Sequence, residues 1–84
     1  MFFIYILKSL KTKEFYKGLT NSIERRLKQH FTGKVLFTKN KLPLKLIHVE
    51  ICSNRNRARI MEKFFKSGYG REIIKEIDGA MLEW

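Results

Sequence analysis

The sequence predicts an α+β fold, a three-stranded antiparallel sheet flanked by helices in the order ββαβαα. Three observations predict it. Two short runs rich in aromatic and β-branched residues, Phe2–Leu7 and Glu14–Gly18, lie a few residues apart, as the arms of a hairpin do. A third such run, Leu44–Ile51, stands between stretches of helical spacing. In those stretches apolar residues recur every three or four positions. The chain has 84 residues, enough for a single domain over 1–84 with a thin core.

Taken in order, Phe2–Leu7 is a compact first strand and Ser9–Lys13 a polar connection to the second. Over Asn21 to Phe31, Ile23, Leu27 and Phe31 form one stripe. Asn21 followed by Glu24 has capping-box spacing, and Gly33 ends the helix. Thr32–Pro43 reads as a basic, polar loop carrying Lys34, Lys39 and Lys41. A second helix spans Asn54–Lys66, with Ala58, Met61 and Phe65 on one side and Ile60 and Phe64 widening the stripe. Gly68 stops it, and Gly70–Ile77 forms a short third helix anchored by Ile73, Ile74 and Ile77.

Charge narrows the function. Eighteen Lys and Arg against eight Asp and Glu give a net +10, and cations this dense repel one another in a compact fold. Polyanion binding is a common reason to carry them. The single cysteine, Cys52, rules out an intrachain disulfide and fits a reducing, cytoplasmic setting. No cysteine–histidine spacing suggests zinc. The apolar opening lacks a basic leader, and no apolar run nears the ~20 residues of a membrane span, so no membrane partner is expected.

Helical geometry picks out a few polar residues. With Ile23 at zero and about 100° per residue, Arg26 falls near ~300° and His30 near ~340°, at the border of the buried stripe. Arg25, Lys28 and Gln29 point away. Arg26 and His30 are one turn apart and can converge on one anion. The plain alternative is a snorkelling arginine and a hydrogen-bonded boundary histidine. On the second helix Glu62 lies near ~40° from Ala58, an acid at the rim of an apolar face with Arg55, Arg59 and Lys66 beside it. It is either a solvated partner of Lys66 or a seat for a hard divalent cation. Tyr5 and Tyr16 sit in the hairpin strands, where tyrosines more often pack than react. Gly18 ends the second strand, where backbone can approach a ligand.

These residues also stand in a familiar order. Phe3-Ile4-Tyr5, then Phe15-Tyr16-Lys17-Gly18, then Asn21-Ser22-Ile23-Glu24-Arg25-Arg26-Leu27-Lys28-Gln29-His30 resemble the start of the GIY-YIG nuclease domain. Gly33-Lys34, Pro43-Leu44-Lys45-Leu46 and Arg59-Ile60-Met61-Glu62-Lys63 continue the resemblance, which covers about residues 2–77. It is greatest to the small stand-alone bacterial members and extends, more distantly, to the GIY-YIG nuclease domain of excinuclease. Phe3 stands where the name has glycine, and Lys17 where it has isoleucine. Several members also place an asparagine after the glutamate, and this chain has none after Asn56.

The resemblance implies an endonuclease that cuts phosphodiester bonds of nucleic acid, DNA ahead of RNA, in repair or DNA processing. It implies one divalent metal ion, Mg²⁺ or Mn²⁺, held by Glu62. Tyr5 and Tyr16 become the motif tyrosines, either of which could orient or deprotonate the attacking water. Arg26 becomes the catalytic arginine, His30 an accessory site residue, and Gly18 the point of backbone approach. Lys17, Lys34, Lys39, Lys41, Arg55, Arg57 and Arg59 would bind backbone phosphates, which gives affinity without sequence information. Eighty-four residues leave little room for a separate reading module, so shape preference or a targeting partner protein is expected. The competing reading is a non-catalytic nucleic-acid-binding module on the same fold.

Overall fold

The structure, a computed structural model, describes residues 1–81. The last three residues of the expected domain lie outside the described residues. Strands β1 (Phe2–Ser9), β2 (Phe15–Thr20) and β3 (Leu44–Cys52) and helices α1 (Ile23–Phe31), α2 (Arg55–Lys66) and α3 (Gly68–Met81) follow in the order ββαβαα. The sheet is antiparallel with spatial order β2-β1-β3. β1 is therefore central and covered on both faces. That is why Ile4, Tyr5, Ile6 and Leu7 are all buried and the run does not alternate with polar residues.

Pairing divides the side chains between the two faces. Ile4 pairs with Leu19 and Ile6 with Lys17; Tyr5 pairs with Gly18 and Leu7 with Tyr16. Cross-strand partners share a face. On the first face Ile4 and Ile6 pack with Ile47, Ala58, Phe65 and Ile74, so α2 and α3 lie there and form the hydrophobic core. At ~1.5–3 kcal/mol per fully buried large apolar side chain, this face supplies most of the driving force. The second face holds the buried polar residues Ser9, His30 and Thr38 beside Tyr5. Among the described residues no buried side-chain polar atom lacks a hydrogen-bond partner.

Several local expectations change. The N-cap of α1 is Ser22, and no side chain caps the helix, so the Asn21–Glu24 capping box does not form. Thr20 sets this tight link instead, its Oγ1 accepting from the Ser22 N–H at 3.0 Å. Phe31 is 43% exposed and leaves the expected stripe. The inward line runs Ile23, Leu27, His30, and its last place belongs to the histidine. Ile60 is 67% exposed, because two residues beyond Ala58 is about 200° around the helix.

Gly68 opens α3 rather than merely closing α2, and α3 runs to Met81, beyond the expected Ile77. Ser67 serves both helices: its N–H donates to the Phe64 carbonyl, and its Oγ accepts from the Gly70 N–H at 3.1 Å. The far end of α3 is tied down by Lys8 and Asp78, paired at 2.7 Å and both largely buried. Helix α1 ends where expected, its C-cap Thr32 followed by Gly33 with φ +76°. The Thr32–Pro43 segment is not simply a polar loop, because Val35 and Thr38 insert into the fold while Leu36 and Phe37 stay exposed.

Candidate active site

Tyr5 is the hub of the site. Its hydroxyl lies 2.9 Å from His30 Nε2 and accepts a hydrogen bond from Arg26 Nε at 3.3 Å. His30 Nδ1 lies 2.8 Å from Thr38 Oγ1. Arg26 donates to Tyr5. With His30 neutral, its two ring nitrogens act as one donor and one acceptor, and the tautomer with Nδ1–H donates to Thr38 and accepts from Tyr5 at Nε2. Burial, and then the positive charge of Arg26, depress His30 to about 4, so the ring is neutral at pH 7. Burial is also the main reason that Tyr5 is raised above the ordinary tyrosine value, with Arg26 pulling the other way. Its hydrogen bond to Tyr5 in turn raises Arg26.

Tyr16 joins this group from the edge strand. Its ring lies 6.2 Å from that of Tyr5 and 5.1 Å from that of His30. Gly18 makes the cluster fit: a Cβ there would overlap Cζ and the hydroxyl of Tyr5 and stand 2.8 Å from its Cε1. The glycine admits an aromatic ring across the strand pair.

A pocket with a volume near 470 Å³ opens over β2. Tyr5, Tyr16, Gly18 and Arg26 reach it from the α1 side, and Lys17, Glu62 and Lys66 from the α2 side. The two helices lie on opposite faces of the sheet, and only at its edge can their side chains meet. Glu62 Oε2 pairs with Lys66 Nζ at 3.3 Å. Phe37, 74% exposed, stands at the rim.

The structure thus brings Tyr5, Tyr16, Lys17, Gly18, Arg26 and Glu62 to one pocket. His30 is fully buried behind Tyr5 and does not line it. Arg55 lines a neighbouring depression with Arg25 and Arg26, and Lys41 another with Lys17. Lys34, Lys39 and Arg59 are outside these three cavities. Arg57 belongs to a separate depression with Glu50 and Met61. Gln29 is not turned away as expected, since its Oε1 accepts from Arg26 Nη1 at 3.1 Å, one turn along α1. Thr38 carried no sequence signal, because no periodicity links a loop threonine to a helical histidine.

Comparison with known proteins identifies the family of the chain. The family model of the GIY-YIG catalytic domain matches residues 1–76. This chain belongs to the GIY-YIG family. It is 36% identical over 67 residues to a UPF0213 protein of Clostridium perfringens, covering 79% of this chain and 71% of that one. A UPF0213 protein of Bacillus licheniformis is 40% identical over 65 residues, covering 76% of this chain and 66% of that one. The chain thus spans about two thirds of the length of that relative. The solution structure of the UPF0213 protein BH0048 from Bacillus halodurans superposes with a TM-score of 0.56 at 28% identity, covering 94% of this chain and 87% of that one.

GIY-YIG nucleases generally use divalent metals. No group of three or more His, Cys, Asp or Glu that could hold a metal occurs among the described residues. Glu62 is the one carboxylate lining the pocket. That donor set suits Mg²⁺ or Mn²⁺, hard cations content with one carboxylate and a shell of water and phosphate oxygens. It does not suit zinc. No helix among the described residues is long and apolar enough to cross a membrane.

Proposed function

We propose that this GIY-YIG domain is a metal-dependent endonuclease that hydrolyses phosphodiester bonds of nucleic acid. The convergence of Tyr5, Tyr16, Arg26 and Glu62 on one pocket carries the reading. Glu62 would hold one Mg²⁺ or Mn²⁺, which when bound supplies Lewis-acid charge at the leaving oxygen. Arg26 uses Nε on Tyr5 and Nη1 on Gln29, which aims its remaining N–H groups at a non-bridging phosphate oxygen. Tyr16 orients or deprotonates the attacking water. Tyr5 is the weaker candidate for that step, because its hydroxyl is already bonded to Arg26 and His30. His30 holds Tyr5 and does not touch substrate. Lys17, Lys41 and Arg55, with the more distant Lys34, Lys39 and Arg59, bind phosphates outside the reacting group. DNA ahead of RNA, a cytoplasmic role in repair or DNA processing, and targeting by a partner protein complete the proposal.

The deciding assay offers labelled branched, nicked, single-stranded and double-stranded DNA, and RNA, with Mg²⁺, Mn²⁺ or EDTA. Cleavage with metal and none with EDTA is expected. Glu62→Ala and Arg26→Ala should both stop it, the first without loss of binding, since removing a carboxylate removes repulsion toward phosphate. Wild-type cleavage by folded Glu62→Ala protein would refute the mechanism. Metal-indifferent binding without cleavage would select the non-catalytic reading, which the ion pair between Glu62 and Lys66 and the missing late asparagine favour.

A further inference from the structure

The active-site pocket does not end at Lys17. A second depression, with a volume near 610 Å³, shares Phe15 and Lys17 with it and extends toward α3. Its floor is apolar, from Phe15 and Ile74, and its walls carry Lys17, Lys41, Arg71 and Lys75 against a single acid, Glu14. Two of these cations are matched: Lys41 pairs with Glu14 at 2.8 Å, and Lys75 with Glu72 at 3.5 Å. Lys17 and Arg71 form no ion pair with a carboxylate among the described residues. They are also close enough to repel. Burial first, and then the charges of Arg71 and Lys66, hold the Lys17 ammonium below the ordinary lysine range. Like charges crowded together over an apolar floor weaken the free protein, and an anion placed between them relieves the repulsion. The guanidinium of Arg71 offers the planar fork that suits a phosphate.

On the other side of the pocket lies a depression near 440 Å³ that shares Leu19 and Arg26 with it and adds Arg25 and Arg55. The three cavities are thus linked in series, by Arg26 at one junction and Lys17 at the other. A free anion needs only one such hollow. Linked hollows, each with cations, suit a polymer of phosphates.

We propose that Lys17 and Arg71 form a second phosphate site, which holds a phosphodiester further along the strand whose scissile phosphate lies at Arg26. The proposal rests on the nuclease reading for the identity of its ligand but not on cleavage. Arg71 contacts the strand away from the reacting atoms, so it acts in binding and leaves the chemical step alone.

The test measures binding of a short fluorescein-labelled oligonucleotide of mixed sequence by anisotropy, in EDTA, across a salt series. Wild type is compared with Arg71→Gln and with Lys28→Gln, which removes a cation of α1 that lines none of the three cavities. Equal melting temperatures in the absence of ligand would show intact folds. Arg71→Gln should bind several-fold more weakly and lower the slope of log K against log salt by about one, and Lys28→Gln should do neither. In cleavage assays Arg71→Gln should raise KM and leave kcat within about twofold. A slope for Arg71→Gln equal to that of Lys28→Gln would overturn the proposal, as would a fall in kcat at unchanged KM. So would inorganic phosphate, at matched ionic strength, stabilising the wild type as much as the oligonucleotide does, because the hollow would then serve a free anion. Binding is read without metal, so a wild type that never cleaves would remove the nuclease reading alone.

Discussion

Gly18 lies directly across the sheet from Tyr5, and the Tyr5 ring fills the space that a side chain at position 18 would occupy. Tyr5 is buried in the central strand and bonded at its hydroxyl to both Arg26 and His30, so it has nowhere to retreat. Gly18→Ala is therefore expected to cost about 1–3 kcal/mol of stability and to displace the Tyr5 hydroxyl, lowering cleavage at least tenfold. Urea midpoints and single-turnover rates check it. A fully stable and active alanine variant would show that the Tyr5 position does not matter.

The two tyrosines should separate by what each substitution disturbs. Tyr5→Phe leaves His30 Nε2 buried without its hydrogen-bond partner, a loss of about 1–3 kcal/mol of stability. The Tyr16 hydroxyl interacts only weakly with Tyr5 and Arg26, so Tyr16→Phe should melt near wild type. Its cleavage rate should nevertheless fall by about 10²–10⁴ if Tyr16 handles the water. Paired melting curves and rates decide the matter, and a Tyr16→Phe protein that cleaves at the wild-type rate would transfer the role to Tyr5.

His30 should write a pH signature into stability. Its folded value is depressed to about 4, below the 6.5 of an unperturbed histidine. As pH falls below 6.5 the unfolded chain takes up the proton first, so stability is lost between pH 6.5 and about 4. This single group contributes a slope approaching about 1.4 kcal/mol per pH unit in that window and none above it. His30→Gln removes the titrating group. The difference between wild-type and variant urea midpoints should therefore shrink as pH falls from 7 toward 4. Parallel pH profiles would mean that His30 titrates normally.

Gly70, in the first turn of α3, lies hard against the backbone at the end of α2. A Cβ there would overlap the Phe64 carbonyl oxygen and stand 2.6 Å from Phe65 Cα, and neither backbone atom can move aside cheaply. Gly70→Ala should cost stability at or above the top of the ~1–3 kcal/mol overpacking range. Gly68→Ala, where a Cβ meets nothing within 4 Å, should be neutral or stabilising by up to about 1 kcal/mol. Chemical denaturation of the two variants provides the contrast, and equal midpoints would show that the helices part freely.

The order of elements, the basic character and the set of candidate residues were legible in the sequence, because each depends on neighbours close in the chain. Compact apolar and aromatic runs place β1 and β2, and the period-3.6 pattern places α2, within a few residues of their true ends. The order of motifs in the chain pointed to the family that the family model matches over residues 1–76. Helical angle alone put Arg26, His30 and Glu62 at the borders of their stripes. What only the tertiary structure decided is which of these residues meet. Tyr5 faces Gly18 through the pairing of two strands, and His30 reaches Thr38 through a loop that folds back. Arg26 and Glu62 come from opposite faces of the sheet and share a pocket because β2 is its edge. Local periodicity records which side of an element is apolar. It holds no information on strand order or on how a loop returns, and those long-range contacts set the distances on which chemistry depends.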